Sequence, residues 1–337
     1  MENFTEGTRF WAFLTQLLPV TVSRIRSTVD VVSSYYLYCC SLWANYSRIT
    51  SCFSYALRAL RFVLFLRRHI ELFELEVFAG YVSPLIGTDK FHHLSRRHYL
   101  SKNLRVGQRV GYVLEHYRFE QDYFDVSYKR QVYSPSGLCL WKHIADGTEF
   151  AIQLALADRY AAEGDLCVRL MVDGERLHAI SFSWVRIRRS DGDKTAMYVG
   201  LNQGRWQRDQ EYMEKFSLFF PHNSPNFACY AALQGVAQAA RINELLAVSS
   251  EFQVCSSPKK SDTFDHAYDW FWKAVGGVPD RTYGYALPIP WPIRDLRDVA
   301  SKHRKRAAMR RVLLENICNQ TYACIAAHIL NERTSDS

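Results

Sequence analysis

The segment from Gly164 to Gly277 constrains the fold most, because strand-like and helix-like patterns follow one another there in a fixed order. Two apolar stretches flank Asp173-Gly174, a pair typical of a tight hairpin turn. A third strand ends at Gly204, and two helical stretches, a short strand and an aromatic helix that ends in two glycines follow it. This order predicts an α+β fold with a mixed central sheet and flanking helices.

The 337 residues divide by pattern into three parts. Residues 1–78 predict an N-terminal helical extension, residues 79–292 an α+β core domain, and residues 293–337 a basic C-terminal helix. Within the core, residues 138–154 predict two strands around the turn Asp146-Gly147, and residues 106–117 predict a helix.

The aromatic helix carries Trp270, Phe271 and Trp272, which cannot all lie on the surface of one helix. We expect Trp272 to be the buried residue, one turn after Tyr268, and its two neighbours to matter less for stability. The glycine pair that begins at Gly276 is expected to end the helix in a left-handed conformation.

The N-terminal extension is amphipathic, with Arg58, Arg61, Arg67 and Arg68 among leucines and valines at helical spacing. Such a helix either packs on the main domain or lies on anionic lipid headgroups. Both interpretations remain open at this point.

The sequence predicts a cytoplasmic protein that is at most peripheral to a membrane. Glu2, Glu6 and Arg9 leave the first ten residues without the positive charge of a secretory signal. The uncharged stretch 31–47 contains several polar residues and is shorter than the roughly 20 apolar residues of a spanning helix. Nine cysteines without a C-x-x-C pair are typical of reduced thiols rather than of a disulfide framework or a zinc site.

The formal net charge of +8 permits an acidic partner such as an anionic lipid, a phosphorylated ligand or nucleic acid. Much of the excess lies in the C-terminal tail, at Arg294, Arg297, Lys302, Arg304, Lys305, Arg306, Arg310 and Arg311. A solvated basic face and attraction to an anionic membrane both explain this tail. Nucleic acid is not favoured, because no helix-turn-helix, RNP or zinc-finger pattern is present.

His93 and His98, close to Ser95 and Tyr99, are candidates for a catalytic base, because imidazole exchanges protons near neutral pH. Asp and Glu are absent from residues 91–105, so no nearby carboxylate orients either ring. The alternative is that both histidines are packing residues, and no metal site is predicted.

Several short motifs occur in the order and spacing of one known family, over roughly residues 78–315. They are His93-Leu94-Ser95 with Tyr99, His116-Tyr117, the Gly164 hairpin, Gly200 with Gln203-Gly204, Ala247-Val248-Ser249, and Tyr268-Asp269 with Trp272 and Gly276-Gly277. The ordered set resembles the VirK/YbjX family of Gram-negative bacteria. The resemblance implies a role in virulence, in the cell envelope and in resistance to cationic antimicrobial peptides, at most peripheral to the inner membrane, but no settled biochemical activity.

The second half of the core resembles the acyl-CoA-dependent N-acyltransferase fold, in which a central strand ends in a Gln/Arg-x-x-Gly-x-Gly/Ala loop. That loop and the next helix N-terminus hold the pyrophosphate of the cofactor. Gln203, Gly204, Arg205 and Arg208 are therefore candidate residues for binding acyl-CoA. Only one glycine stands where two are expected, so a plain strand-to-helix turn is the alternative. By the same analogy, Tyr268 is a candidate catalytic acid.

Two classes of function follow from these resemblances. The first is an acyl or group transferase that uses a phosphorylated donor at residues 203–208. The second is a non-catalytic binding or regulatory protein that keeps the fold and lacks the chemistry. An open cleft beside Gly204 would favour the first class, and a cleft filled by side chains such as Phe182 or Trp206 would favour the second.

Overall fold

A computed structural model describes residues 26–40, 50–87, 90–95, 98–157, 163–190, 192–204, 210–256, 266–292 and 295–330. The chain forms two compact units, Met1–Ser95 and Arg96–Ser337. The three-part division drawn from the sequence, with boundaries at 78 and 292, stays a prediction.

The N-terminal unit is helical where it is described. It contains α1 (residues 26–40), α2 (Thr50–Leu64), α3 (Leu66–Glu74), a π-helical turn (Val77–Val82), α4 (Ser83–Ile86) and α5 (His92–Ser95). Its core is aromatic: the Tyr35 and Phe62 rings stack with centroids 3.9 Å apart, and Phe91 contacts both edge-on at 5.5 Å. Stacked and edge-on ring pairs stabilise such a core beyond the apolar area that they bury.

The C-terminal unit combines helices with one large sheet. Its helices are α6 (Val106–Tyr123), α7 (Val126–Val132), α8 (Gln210–Phe219), α9 (Pro225–Ala239), α10 (Phe271–Ala274) and α11 (Ser301–Ala326). Its strands are β1 (Leu138–Ala145), β2 (Thr148–Leu156), β3 (Leu166–Val172), β4 (Glu175–Arg189), β5 (Gly192–Gly204), β6 (Leu245–Ala247), β7 (Val278–Asp280) and β8 (Gly284–Leu287).

The sheet has eight described strands in the order β1-β2-β3-β4-β5-β6-β8-β7. Every described pair is antiparallel except β5 with β6, which run parallel from Met197 opposite Leu245 to Val199 opposite Ala247. The parallel step requires a crossover connection, and α8 and α9 lie in it. The predicted mixed sheet with flanking helices is confirmed.

Two of the predicted hairpin turns have the expected backbone. Asp146-Gly147 has φ values of 48° and 80°, and Asp173-Gly174 has 49° and 85°. Two consecutive residues with positive φ match the right-handed twist of the flanking strands, which explains the Asp-Gly sequence at both turns. The predicted strands on either side are therefore in register, with Ala145 opposite Thr148 and Val172 opposite Glu175.

Helices cover both faces of the central strands. β4 is buried continuously from Leu177 to Val185, and α6 and α9 both pack against it. Because this stretch is buried on both faces, its polar side chains need partners, and His178 bonds Asn202 while Ser183 donates to Asp165.

The basic C-terminal helix starts later than the sequence predicted. Residues 296–298 form a 3₁₀ turn, which the Asp295 side chain caps by accepting a hydrogen bond from the Arg297 amide at 2.8 Å, and α11 begins at Ser301. Its apolar residues Leu314, Ile317 and Ile325 are buried against the rest of the C-terminal unit.

The aromatic helix is arranged largely as expected. Trp272 is fully buried and its Nε1–H donates to the Val248 carbonyl at 2.9 Å, whereas Trp270 is 58% exposed. Gly276 has a φ of 87°, and the Gly277 amide donates to the Trp272 carbonyl at 2.8 Å, as in a Schellman C-cap. Phe271 is also fully buried, which corrects the expectation that its loss is mild.

We expect Trp272→Ala to lower the free energy of unfolding by about 3–5 kcal/mol, because it leaves a large cavity and an unpaired Val248 carbonyl. Trp270→Ala is the matched control and should change the free energy by no more than about 0.5 kcal/mol. Urea denaturation followed by circular dichroism measures both. Equal stability of the two variants would contradict the burial of Trp272.

Candidate functional site

The end of strand β5 is the site that the sequence singled out, and it extends beyond its parallel neighbour. β6 pairs with β5 only from Met197 to Val199, whereas β5 continues to Gly204. Over this extension β4 still pairs on one side, with Ile180 opposite Asn202 and His178 opposite Gly204. The edge on the β6 side is therefore where a ligand would meet the backbone of β5.

Side chains already occupy part of that edge. The Asn202 amide donates to the Tyr268 hydroxyl at 3.3 Å, and Tyr268 is fully buried. Burial raises the pKa of Tyr268 well above its ordinary value, so the hydroxyl stays protonated. Tyr268, the candidate acid, thus lies beside the predicted site but is not exposed to a substrate.

A second contact comes from the loop after β6. Asp269 accepts hydrogen bonds from the Ser250 amide at 2.9 Å and from the Ser250 hydroxyl at 2.7 Å. The Tyr268-Asp269 motif therefore positions the loop after β6, which explains both residues structurally.

The face of β5 at Gly200 is closely covered by backbone. A Cβ atom at Gly200 would lie 2.4 Å from the Glu163 carbonyl oxygen and 3.1 Å from that of Leu100, so a larger residue does not fit. Glu163 is itself buried and accepts a hydrogen bond from the Gln253 side chain. Gly200 is needed for this close approach rather than for an unusual backbone angle.

The candidate cofactor residues are only partly within the described chain. Gln203 is exposed and Gly204 is half-buried at the last two positions of β5. Arg205 and Arg208 lie outside the described residues, as does Trp206. Phe182, one of the two residues whose filling of the cleft would favour a non-catalytic protein, is a core residue of β4 against Trp184.

The two candidate catalytic histidines belong to different units. His93 is buried in the N-terminal unit, with its Nε2 atom 3.2 Å from Nε2 of His69 and the two rings stacked. Burial lowers the pKa of His69 to about 4, so that ring is neutral near pH 7. His98 is half-buried in the C-terminal unit. No group of three or more metal-ligating side chains occurs in the part of the chain that the structure describes.

The structure reveals a buried carboxylate cluster that sequence patterns did not indicate. Asp165 accepts hydrogen bonds from the hydroxyls of Tyr99, Tyr117 and Ser183, the last two at 3.1 and 2.7 Å. All four side chains are buried, and the Ser183 hydroxyl donates to Asp165 instead of to a histidine base. The cluster fixes the core and does not form an activated serine.

A second buried carboxylate, Glu120, lies on α6. Its two oxygens accept hydrogen bonds from the Trp184 indole at 2.6 Å and from the Tyr128 and Tyr133 hydroxyls at 3.1 and 3.2 Å. Burial raises the pKa of Glu120 from 4.5 to about 7, although these donors oppose the shift. The nearby His116 accepts from the Trp184 amide, and burial lowers its pKa to about 4.

We expect the pH dependence of stability to report on Glu120. Between pH 4.5 and about 7 the folded protein keeps a proton on Glu120 that the unfolded chain loses, so the contribution of this group to stability falls as pH rises. The buried histidines, whose pKa is lowered, contribute in the opposite direction and are common to wild type and variant. Glu120→Gln removes the titration and keeps an oxygen acceptor. The free energy of unfolding of Glu120→Gln, relative to that of wild type, should therefore rise by about 3 kcal/mol from the lower to the upper end of the window.

Urea denaturation at a series of pH values measures this difference. Tyr128→Phe is the control, because it removes one donor but leaves the carboxyl group and should keep the pH dependence of wild type. A constant difference between Glu120→Gln and wild type at all pH values would contradict a titrating Glu120.

Comparison with known proteins places the chain in a family. Residues 46–323 match the model of the family described as "Protein of unknown function (DUF535)". The chain is also 25% identical over 226 residues to "Uncharacterized protein YbjX" of Escherichia coli (strain K12), which covers 66% of this chain and 68% of that protein. No solved structure matches the chain significantly. The resemblance drawn from the ordered motifs is confirmed, and the chain belongs to the DUF535 family, the VirK/YbjX family of that relative.

Proposed function

We propose that this protein is a group transferase of the acyl-CoA N-acyltransferase type, with its donor bound at the end of β5. The observation that carries the proposal is the parallel step in the sheet, at which β5 extends from Gly200 to Gly204 beyond the pairing with β6. In the N-acyltransferase layout a central strand ends in a phosphate-binding loop before a helix. β5, Gly204 and α8 follow that order.

Charge and backbone at this position suit a phosphorylated donor. Gly204 allows a ligand to approach the backbone, because it has no side chain. Arg205 and Arg208 follow directly in sequence and supply guanidinium groups, which bind phosphate oxygens in pairs of charge-assisted hydrogen bonds. We assign no catalytic acid or base, because Tyr268 is fully buried and His93 lies in the core of the N-terminal unit.

A second candidate function is that of a binding or regulatory protein that lacks the transfer chemistry. The Tyr268 hydroxyl supports it, since it already bonds the Asn202 amide on the edge that a donor would use. In this case the side chains of α10 and of the turn before it fill the space that the donor occupies in an enzyme.

We expect the protein to bind acyl-CoA with an affinity that depends on the β5 end. Gly204→Val places a branched side chain where the donor approaches, and Arg205→Ala removes charge-assisted hydrogen bonds, so each should weaken binding about tenfold or more. Isothermal titration calorimetry with acetyl-CoA and palmitoyl-CoA measures this. Arg188→Ala is the control, because it removes the same charge from an exposed pair with Asp193.

Calorimetry also separates the two candidate functions. Equal affinity in wild type, Gly204→Val and Arg205→Ala would contradict a donor site at this loop. Binding that is absent from wild type but present in Tyr268→Phe, which frees the Asn202 amide, would favour the non-catalytic candidate.

We also propose that the N-terminal unit attaches the protein to the inner membrane surface. α1 exposes Val29, Val32, Tyr36 and Leu37, and α2 exposes Leu60, Val63 and Leu64, both at helical spacing. An apolar stripe on a surface helix suits shallow insertion among lipid headgroups, and neighbouring arginines attract anionic lipids. In the described part of the chain, none of the helices meets the length and apolarity needed to cross a bilayer.

We expect Leu60→Gln/Leu64→Gln to reduce sedimentation with vesicles of phosphatidylglycerol and phosphatidylethanolamine, because it interrupts the α2 stripe. Leu218→Gln is the control, since Leu218 is 74% exposed on α8 of the C-terminal unit. Family resemblance further supports a role in resistance to cationic antimicrobial peptides, so the double variant should also restore less resistance to a deletion strain. Vesicle binding and resistance that equal those of wild type would contradict the attachment.

A further inference from the structure

The C-terminal unit contains a groove of about 970 Å³ away from the carboxylate clusters. Its walls are α9, α11 as far as Asn319, the end of α10 and the loop at residues 290–292. A volume of this size is at the upper end of the range of small-molecule sites.

The walls of the groove are held in place by specific contacts. The Gln234 side chain on α9 accepts from the Trp291 amide at 3.1 Å and donates to the Pro288 carbonyl at 3.1 Å, which fixes the loop after β8. At Gly235 a Cβ atom would lie only 2.5 Å from the Cys318 carbonyl oxygen, so α9 and α11 are in close contact there. The groove is therefore a preformed cavity between anchored elements.

The lining of the groove is strongly basic. Lys273, Arg306, Arg310 and Arg311 line the groove, and Glu315 is the one carboxylate among the described lining residues. His222 and His303 also line it. Asp295 is not part of the lining but interacts electrostatically with Arg311. Among the described residues, none of the four cations forms an ion pair within 4.0 Å.

Arg310 is the most informative of these cations. Its guanidinium carbon lies 4.0 Å from the centroid of the Phe227 ring, and burial lowers the pKa of the group. A half-buried guanidinium on an aromatic face keeps donors that no described carboxylate satisfies. Such a group is costly to desolvate unless an anion completes its hydrogen bonds.

Aromatic rings lie beside the charges. Trp291 stacks on Phe227 with ring centroids 5.6 Å apart and planes 25° apart, and Trp270 exposes most of its indole at the same groove. The rings offer apolar contact area to the remainder of a ligand whose anionic group meets the arginines.

We propose that the groove between α9 and α11 binds an organic phosphate, with its phosphate groups on Arg306, Arg310 and Arg311 and its apolar or planar portion against Trp291. A dianionic phosphomonoester or a pyrophosphate matches the excess of positive charge better than a single carboxylate does. The two sources of this chemistry are a soluble nucleotide and a lipid phosphate headgroup. The groove binds such a ligand independently of any transfer reaction at β5.

Calorimetry on the full chain tests the site with four probes: adenosine diphosphate, inorganic pyrophosphate, inorganic phosphate and dihexanoyl phosphatidic acid below its micelle concentration. The short-chain lipid stays monomeric, so attachment through α1 and α2 does not contribute. Tighter binding of adenosine diphosphate than of the lipid identifies a nucleotide site, and the reverse identifies a lipid headgroup site.

Arg310→Gln and the double variant Arg306→Gln/Arg311→Gln should each weaken the preferred probe about tenfold or more, because each loses charge-assisted hydrogen bonds. Lys305→Gln is the matched control for Arg310→Gln, because it also removes one positive charge from α11. Lys305 is exposed and does not line the groove. Arg205→Ala should leave this binding unchanged, which separates the groove from the β5 site. Absence of saturable binding by all four probes, or equal weakening by Lys305→Gln, would overturn the proposal.

Discussion

The C-terminal unit depends on one buried carboxylate, Asp165. It lies just before β3 and receives hydroxyl hydrogen bonds from Tyr99, before α6, from Tyr117 on α6 and from Ser183 on β4. A carboxylate taken out of water without donors would cost several kcal/mol, so these three partners must be in place together. Because Asp165 bonds both Tyr117 on α6 and Ser183 on β4, it holds α6 against the sheet. The same bonds hold the residues next to Asp165 over the central strands.

The geometry at the end of β5 follows from that constraint. With the residues before Asp165 held in place, the Glu163 carbonyl lies over β5 at the one position, Gly200, that has no side chain. Two residues further along β5, the backbone amide of Asn202 already donates a hydrogen bond to the Tyr268 hydroxyl. A donor that binds as we propose would therefore meet an edge that is partly filled at Asn202, and it would rely on Gln203, Gly204 and the arginines that follow in sequence.

The elements that sequence reasoning predicted correctly have local signals. The Asp-Gly pairs determine where the two hairpins turn. Trp272, one turn before the two glycines, indicates which face of α10 is buried, and the glycines indicate where the helix ends. The carboxylate clusters have no local signal, because the partners of Asp165 lie 18, 48 and 66 residues away. The groove was missed for the same reason: its lining runs from His222 to Asn319, and only the basic tail was visible in the sequence as one of its walls.

We propose that a phosphorylated donor binds the backbone at the end of β5. Hydrogen–deuterium exchange of the full chain with and without saturating acyl-CoA tests it directly, because backbone amides report their own protection. We predict slower exchange at the amides of Gly204 and Arg205 when the ligand is present. Unchanged exchange at these two amides, with protection confined to α9 and α11, would contradict a donor site at β5.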